Sequence, residues 1–356
     1  MESEMKTSHR FVLSDSRTMR EVPSGTIDLV VTSPPYPMIE MWDDLFSGLN
    51  PEIRRALREG HADRAYSLMH EELDRTWKEV YRVLRPGAFA CINIGDATRK
   101  LGRDFQLFPN HARVIQSLRG LGMVSLPHIL WRKTTNKPNK YMGSGMLPAG
   151  AYVTLEHEYV LVMRKGGLRA TSRDDMGRRR ESAYFWEERN EWFSDVWMSL
   201  NGVSQRASRG SARERSGAFP FELAYRLINM YSLVGDTVLD PFLGTGTTMM
   251  AAMAACRNSL GYELGEEFGN VISRRFSGGI GYFRDIVEER IEDHKKFVES
   301  ESARGREFKH RSRIYGFPVM TSQEQAICLY QPTEVLETGE NAFEVHYAKP
   351  HVSGRL

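Results

Sequence analysis

Two short segments contain residue types that can hold and react with a planar, polar ring. The first is TSPPY (residues 32–36), which follows the apolar run IDLVV. Pro34 and Pro35 restrict the backbone between Ser33 and Tyr36. The Ser33 hydroxyl and the Pro34 carbonyl oxygen can each accept one hydrogen of a planar amine, while Tyr36 stacks on the ring that carries the amine. The alternative is a stiff loop that only packs an aromatic side chain on the core.

The second segment, DPFLGTGTT (residues 240–248), is typical of a turn that binds a nucleotide-like ligand between a strand and a helix. Gly244 and Gly246 let the backbone approach a ligand closely, and Asp240 at the strand end can hold a polar group. The threonines that can cap the following helix are Thr247 and Thr248. A tight turn with only a structural role is the alternative.

Glu263 ends the next predicted strand, where an acidic side chain can bind ribose hydroxyls. An NAD-binding fingerprint requires a third glycine at position 249, which is Met249. A Walker loop requires Gly-Lys-Ser/Thr, which does not follow these glycines. The pattern therefore favours a nucleotide-like ligand other than NAD, with a nicotinamide dehydrogenase as the alternative of similar fold.

Apolar runs and helical periodicities alternate along the chain. Strands are predicted at residues 11–13, 27–31, 88–94, 123–133, 158–165, 237–239 and 259–263, with strand-like pieces at 317–321, 326–330 and 342–348. Helices are predicted at residues 51–84, 109–121, 221–231, 247–256 and 283–300. This alternation predicts an α/β fold with a parallel or mixed sheet covered by helices on both faces. Because ligands bind at the carboxyl ends of such strands, we expect both segments at one edge.

The composition is that of an ordinary globular protein. The length of 356 residues favours a core domain with an insertion or appendage, and two full domains are the alternative. The three cysteines have no spacing typical of disulfides or zinc, and no metal is predicted. No apolar run approaches the ~20 residues of a membrane span, so we expect a cytoplasmic protein. The net charge is only +2, but residues 164–215 contain 12 basic against 8 acidic residues, which indicates a local basic surface.

Together, TSPPY and DPFLGTGTT resemble the motifs of amino-methylating DNA methyltransferases, which use S-adenosylmethionine to methylate cytosine N4 or adenine N6. Their order resembles the β arrangement, in which the catalytic loop precedes the cofactor loop and a target-recognition region lies between them. LSDSRTM, RVLRPGAFACINIGD, ILWRK, EYVLVMRKG, FPFELAYRLI and GYEL also look like family segments in the expected order. The resemblance covers roughly residues 11–275 and implies a Rossmann-like methyltransferase sheet.

The resemblance also implies four segments and a set of site residues. We expect a catalytic half at 1–165, a basic target-recognition insertion at 166–216, a cofactor-binding half at 217–280 and a C-terminal extension at 281–356. The expected catalytic loop is Ser33, Pro34, Pro35 and Tyr36. Residues expected to bind S-adenosylmethionine are Asp15, Phe219, Asp240, Pro241, Phe242, Gly244, Gly246, Thr247, Thr248 and Glu263. Many members have His-Pro where this chain has Phe219-Pro220, which departs from the family pattern.

The residues also bear on which base is methylated. Methylation of cytosine C5 requires a cysteine nucleophile, usually beside a proline, and none of the three cysteines follows a proline. An exocyclic amine needs no covalent intermediate. Within the family, a serine in the position of Ser33 goes mostly with cytosine N4, so we expect an N4-cytosine enzyme of a restriction-modification system. The alternatives are an adenine-N6 enzyme with a serine-type loop, an RNA substrate, and an inactive DNA-binding relative.

The target amine lies inside a base pair, so its nucleotide must rotate out of double-stranded DNA. Basic residues near the loop and in the insertion are candidates for DNA contacts: Lys133, Lys137, Lys140, Arg178, Arg179, Arg180, Arg206 and Arg209. A solvated charged surface is the alternative for each of them. A separately encoded restriction endonuclease is a possible partner, and a monomer or a homodimer is expected.

Overall fold

A computed structural model describes residues 5–101, 104–133, 142–170, 172–200 and 219–350. The strands are β1 Met5–Leu13, β2 Ile27–Thr32, β3 Leu84–Ile94, β4 Ala97–Leu101, β5 Asp104–Phe108, β6 Met123–Ser125, β7 Ile129–Arg132, β8 Met142–Gly143, β9 Ala151–Tyr152, β10 His157–Lys165, β11 Val196–Trp197, β12 Thr237–Asp240, β13 Asn258–Glu263, β14 His310–Arg311, β15 Pro318–Val319, β16 Gln331–Gly339 and β17 Ala342–Ala348. The α-helices are α1 Asp43–Leu49, α2 Pro51–Arg58, α3 Ala62–Val83, α4 Asn110–Gly120, α5 Arg173–Glu181, α6 Trp186–Trp192, α7 Phe221–Tyr231, α8 Thr247–Ala254, α9 Gly269–Ser277 and α10 Ile280–Ala303.

One large mixed sheet organises the chain, in the order β11-β7-β10-β3-β2-β12-β13-β1-β17-β16, with β6 paired to β10. The five central strands, from β3 to β1, run parallel to one another. Antiparallel strands extend the sheet on both sides, β10 next to β3 and β17 next to β1. The predicted mixed α/β sheet is therefore confirmed.

Strand β2 shows why the sheet is covered on both faces. All six of its residues are buried, as expected for a central strand of a parallel sheet. Leu29 and Val31 face a core that contains residues of α7 and α8, whereas Val30, between them, faces a second core that contains residues of α3. This alternation follows from the two-residue period of a strand.

Some predicted elements differ from those in the structure. The predicted helix 51–84 is two helices, α2 and α3, because the chain turns at Gly60 with a φ of +75°. The strand predicted at 326–330 is wrong, since this segment follows a 3₁₀ turn and packs Ile327 and Leu329 against Phe185. The strand predicted at 342–348 is confirmed as β17, which pairs with β1.

None of the helices in the described ranges combines the length and the apolar character that a bilayer span requires.

A cluster of ion pairs lies at the amino ends of the central strands. Asp236 directly precedes β12, and its carboxylate is almost fully buried. Arg169 binds one of its oxygens at 2.5 Å and Arg178, on α5, binds the other at 2.7 Å. Arg178 also donates to the carbonyl oxygen of Val234. Helix α5 is thus fixed to the amino edge of the sheet.

We predict that Asp236→Ala lowers the free energy of unfolding by about 2 kcal/mol, between the values typical of exposed and buried pairs, because it leaves Arg169 and Arg178 without their shared carboxylate. Urea denaturation measures the change. The matched control is Asp293→Ala, which breaks an exposed pair with Lys296 and should cost less than ~1 kcal/mol. Equal effects of the two substitutions would contradict the prediction.

Candidate active site

The loops that follow the parallel central strands all open at the carboxyl edge of the sheet. The loop after β2 contains Ser33, and the loop after β12 contains Gly244. The ends of β1 and β13 lie beside them, with Leu13 in register with Glu263. The structure therefore brings the two segments of interest to one edge, as the sequence predicts.

Asp240 joins the two loops directly. Thr32 donates to one oxygen of its carboxylate at 2.6 Å, and Thr248 donates to the other at 2.7 Å. The backbone amide of Phe242 also donates to it at 3.0 Å. Only 2% of Asp240 is exposed, and burial raises the pKa of its carboxyl to about 6. Asp240 is therefore a brace between the loops, and its expected contact with the cofactor stays a prediction.

The glycine turn is held by backbone geometry and by Glu263. Gly244 and Gly246 have φ values of +55° and +84°, which side chains with a Cβ rarely adopt. A Cβ on Gly246 would lie 2.9 Å from the ring of Phe276, so α9 also requires this glycine. Glu263 accepts hydrogen bonds from the amides of Gly244 at 2.7 Å and Gly265 at 2.8 Å. The acid at the strand end thereby shapes the turn.

The prediction that the threonines after the turn cap the following helix is wrong. The hydroxyl of Thr248 donates to Asp240 and to the Val31 carbonyl rather than accepting from a helix amide. Thr247 is buried. Helix α8 begins after Gly246 without a side-chain cap.

The surroundings of Glu263 fit a nucleoside-bearing cofactor. Glu263 and Gly244 are partly exposed, and Leu264 beside them is 46% exposed. Shortly after the end of β1, Arg17 donates hydrogen bonds to the carboxylate of Asp15, the shortest at 2.6 Å. Although burial opposes it, these bonds lower the pKa of Asp15. Carboxylates suit hydroxyl and amine donors, and an exposed apolar side chain suits a purine ring.

The remaining predicted cofactor residues are mostly in the core. Phe219 is 7% exposed and packs with the α7 side of the core. Pro241 is buried. Phe242 is partly buried and contacts Trp77 edge to face, with ring centroids 5.8 Å apart. These side chains support the turn and its surroundings.

A second polar network surrounds the TSPPY loop. The hydroxyls of Ser33 and Tyr36 are 3.0 Å apart, and Tyr36 donates to Glu158 at 2.9 Å. The Asn93 amide donates to the Tyr36 hydroxyl at 2.8 Å and to Glu158 at 2.6 Å. Lys133 forms an ion pair with the other oxygen of Glu158. Burial, with Glu158 close by, raises the pKa of Tyr36 well above its ordinary value.

Glu158 and Asn93 were not among the predicted site residues. The signal in the sequence is that each is a polar residue in or beside an apolar strand run, CINIGD for Asn93 and HEYVLVM for Glu158. A buried polar side chain needs a hydrogen-bonding partner, so such positions are candidates for a site.

The basic residues predicted to contact DNA fall into three groups. Lys133 lies at the TSPPY network. Arg178, Arg179 and Arg180 lie on α5, fixed at the amino edge of the sheet, whereas Ser33 follows the carboxyl end of β2. The six residues of β2 separate these edges by ~20 Å. Contact of these three arginines with DNA stays a prediction. The others lie outside the described residues: Lys137, Lys140, Arg206 and Arg209.

Comparison with known proteins agrees with this arrangement. The profile of a DNA methylase family that groups N6 and N4 methyltransferases matches residues 27–274. The chain is 54% identical to the Type II methyltransferase M.MthZI of Methanothermobacter thermautotrophicus, over 96% of each chain. It is 47% identical to the Type II methyltransferase M.MjaI of Methanocaldococcus jannaschii, over 77% of this chain and 93% of the relative. The putative DNA modification methylase TTHA0409 of Thermus thermophilus, solved in complex with S-adenosyl-L-methionine, superposes with a TM-score of 0.57 and 34% identity, over 76% of this chain and 93% of the relative.

The buried carboxyl group of Asp240 predicts that the stability of the fold depends on pH. Because burial raises the pKa of Asp240 to about 6, the folded chain binds this proton more tightly than the unfolded chain does. Its contribution to stability is therefore fully present below about pH 4 and is lost as the pH rises through 6. We expect the stability of the wild type relative to Asp240→Asn to fall by up to about 3 kcal/mol between pH 4 and pH 7.

Urea unfolding at several pH values measures this difference. The control is Asp293→Asn, whose carboxylate lies in an exposed pair. A difference between the wild type and Asp240→Asn that stays constant with pH would show that the carboxylate does not titrate in this range.

Proposed function

The chain belongs to the DNA methylase family of N6 and N4 methyltransferases, and we propose that it methylates the exocyclic N4 amine of cytosine in DNA. It is an S-adenosylmethionine-dependent DNA methyltransferase. The observation that carries the proposal is the hydrogen bonding of Thr32 and Thr248 to Asp240, which holds the TSPPY loop against the glycine turn.

The proposed cofactor residues of this chain lie on one side of that brace. S-adenosylmethionine, when bound, supplies a methyl group activated by its sulfonium. Glu263 and Asp15 would hold its ribose and adenine, and the Gly244 turn would lie against it. This assignment is supported by the partly exposed polar groups at the ends of β1, β12 and β13.

The TSPPY loop would hold the target base on the other side. The Ser33 hydroxyl and the Pro34 carbonyl accept the two amine hydrogens, which draws the nitrogen lone pair out of conjugation with the ring. Tyr36 supplies an aromatic surface, and its hydroxyl stays protonated because its pKa is raised. Positioning and electrostatics carry such a direct displacement, without a covalent intermediate.

The cysteines support an amine target rather than a ring carbon. Cys91, Cys256 and Cys328 are all buried. Burial raises the pKa of each thiol, which disfavours the thiolate needed to attack a pyrimidine ring. Cys91 lies within β3 rather than in a loop at the carboxyl edge.

Ser33 favours cytosine N4 over adenine N6, as its counterpart does in most members of the family. Adenine N6 is the second candidate, because a serine-type loop also occurs with that base. In either case the nucleotide rotates out of the duplex at a cost of about a few kcal/mol, which contacts with DNA must offset. Lys133 is the described basic residue we propose for such contacts, and Lys137 and Lys140, also proposed, lie outside the described residues.

We also propose a role in a restriction-modification system, with a separately encoded endonuclease as partner. The support is that two close relatives are named Type II methyltransferases and that one of them aligns along nearly the whole chain.

The proposed reaction can be tested directly. The purified chain should transfer tritiated methyl groups from S-adenosylmethionine to DNA, and digestion to nucleosides should yield N4-methylcytosine. Ser33→Ala should lower kcat by about 100-fold, the value of one essential acceptor in the transition state. Ser67→Ala, which changes an exposed serine on α3, is the control and should retain full activity.

N6-methyladenine among the nucleosides would overturn the choice of base. Labelling of RNA but not of DNA would overturn the choice of nucleic acid.

The proposed position of the cofactor can be tested by its binding affinity. Glu263→Gln should weaken S-adenosylmethionine binding by about 10-fold or more in calorimetry, because it removes a charged acceptor of hydroxyl hydrogens and loosens the Gly244 turn. Glu266→Gln, three residues later and exposed, should bind normally. Unchanged affinity of Glu263→Gln would contradict the assigned cofactor position.

A further inference from the structure

Glu158 is a nearly buried carboxylate at the start of β10, behind the TSPPY loop. It is 7% exposed, and it accepts hydrogen bonds from Tyr36 at 2.9 Å and from Asn93 at 2.6 Å. Lys133 pairs with its second oxygen and lies 5.0 Å from the centre of the Trp131 ring. Burying a carboxylate costs free energy. The three partners of Glu158 and its position beside Tyr36 of the TSPPY loop therefore indicate a role beyond packing.

These contacts fix the direction of every hydrogen bond in the network. A carboxylate paired with a lysine can only accept hydrogen bonds. Tyr36 has one hydroxyl hydrogen and must give it to Glu158. The oxygen of Tyr36 then accepts from the Asn93 amide and from the Ser33 hydroxyl, which lies 3.0 Å away. The Ser33 hydrogen consequently points at Tyr36 and away from the cleft.

We infer that Glu158 is a positioning residue that makes Ser33 an obligatory hydrogen-bond acceptor for the target amine. With its hydrogen engaged by Tyr36, Ser33 presents lone pairs to the amine. A reversed chain, in which Tyr36 donates to Ser33, lets the Ser33 hydrogen face the amine hydrogens, where it opposes binding of the transition state. Glu158 acts through Tyr36 and does not touch the base.

This inference rests on the proposed function, in which Ser33 accepts from the amine. It is independent of whether the amine belongs to cytosine or adenine, because both present two hydrogens. It differs from a purely structural role for Glu158, in which the carboxylate only ties β10 to β3 through Asn93. A structural role predicts a loss of stability, whereas the positioning role predicts a specific loss of kcat.

The test is Glu158→Gln, which keeps the size of the side chain but can donate to Tyr36 and so permits the reversed chain. We expect kcat for DNA methylation to fall by about 10- to 100-fold, the value of one misdirected charge-assisted hydrogen bond. KM for DNA and the affinity for S-adenosylmethionine should change less than about 3-fold, which corresponds to about 0.7 kcal/mol.

The matched control is Glu156→Gln, two residues away on the same segment. Glu156 is an exposed residue paired with Arg132, outside the network, and its neutralisation should leave kcat and KM at wild-type values. A loss in Glu158→Gln that appears equally in Glu156→Gln would overturn the inference, because it would reflect charge alone.

A double-mutant cycle with Tyr36→Phe tests the route through the tyrosine. Removing the Tyr36 hydroxyl should cost as much in kcat as Glu158→Gln, and adding Glu158→Gln to Tyr36→Phe should cost less than about 3-fold more. Additive losses, or wild-type kcat in either single variant, would overturn the inference. If Glu158→Gln does not fold, wild-type kcat in Tyr36→Phe still overturns the inference, because Glu158 acts only through the Tyr36 hydroxyl and keeps Asn93 and Lys133 in that variant.

Failure of the proposed function gives a different result. In that case the wild type transfers no methyl group, or Ser33→Ala is as active as the wild type. If Ser33→Ala is inactive while Glu158→Gln matches the wild type, the proposed function stands and only the positioning role is wrong.

Discussion

The buried carboxylate of Asp240 is the interaction on which the site depends. Its two oxygens accept hydrogen bonds from Thr32 at the end of β2 and Thr248 at the start of α8, so the TSPPY loop and the glycine turn share one anchor. Burying a charge is costly, and burial raises the pKa of Asp240 even though three hydrogen bonds lower it. The cost of burying Asp240 is offset by a structural gain, because direct hydrogen bonds define the relative position of two loops far more closely than apolar packing does.

The two edges of the sheet have different tasks. At the amino edge, Asp236 forms ion pairs with Arg169 and Arg178, and the pair with Arg178 attaches α5 to the sheet. At the carboxyl edge, acidic side chains either orient backbone amides, as Glu263 does, or orient hydroxyls, as Glu158 does. Charge of the same kind thus stabilises the fold at one edge and directs hydrogen bonds at the other. Charge counts along the sequence cannot separate these uses.

Much of the fold could be predicted because its signals are local. Strand β2 is a continuous apolar run, and the glycines of the turn are required by positive φ values at Gly244 and Gly246. Other features depend on distant partners. Arg178 is a predicted DNA contact because it lies in a basic run, but its pairing with Asp236, 58 residues away, cannot be predicted from the sequence. Asn93 and Glu158 are 65 residues apart and meet only because β10 pairs antiparallel with β3.

The C-terminal hairpin has a consequence for chain topology. Strand β17 pairs with β1 along six residues, with Met5 opposite Tyr347, so the first and last strands of the sheet are immediate neighbours. A short connection between them would close the backbone without breaking any strand pair, and the chain could then be opened at another surface loop. Because such a closure leaves the strand pairs around the carboxyl edge intact, we expect a circularly permuted chain to keep the TSPPY loop beside the glycine turn.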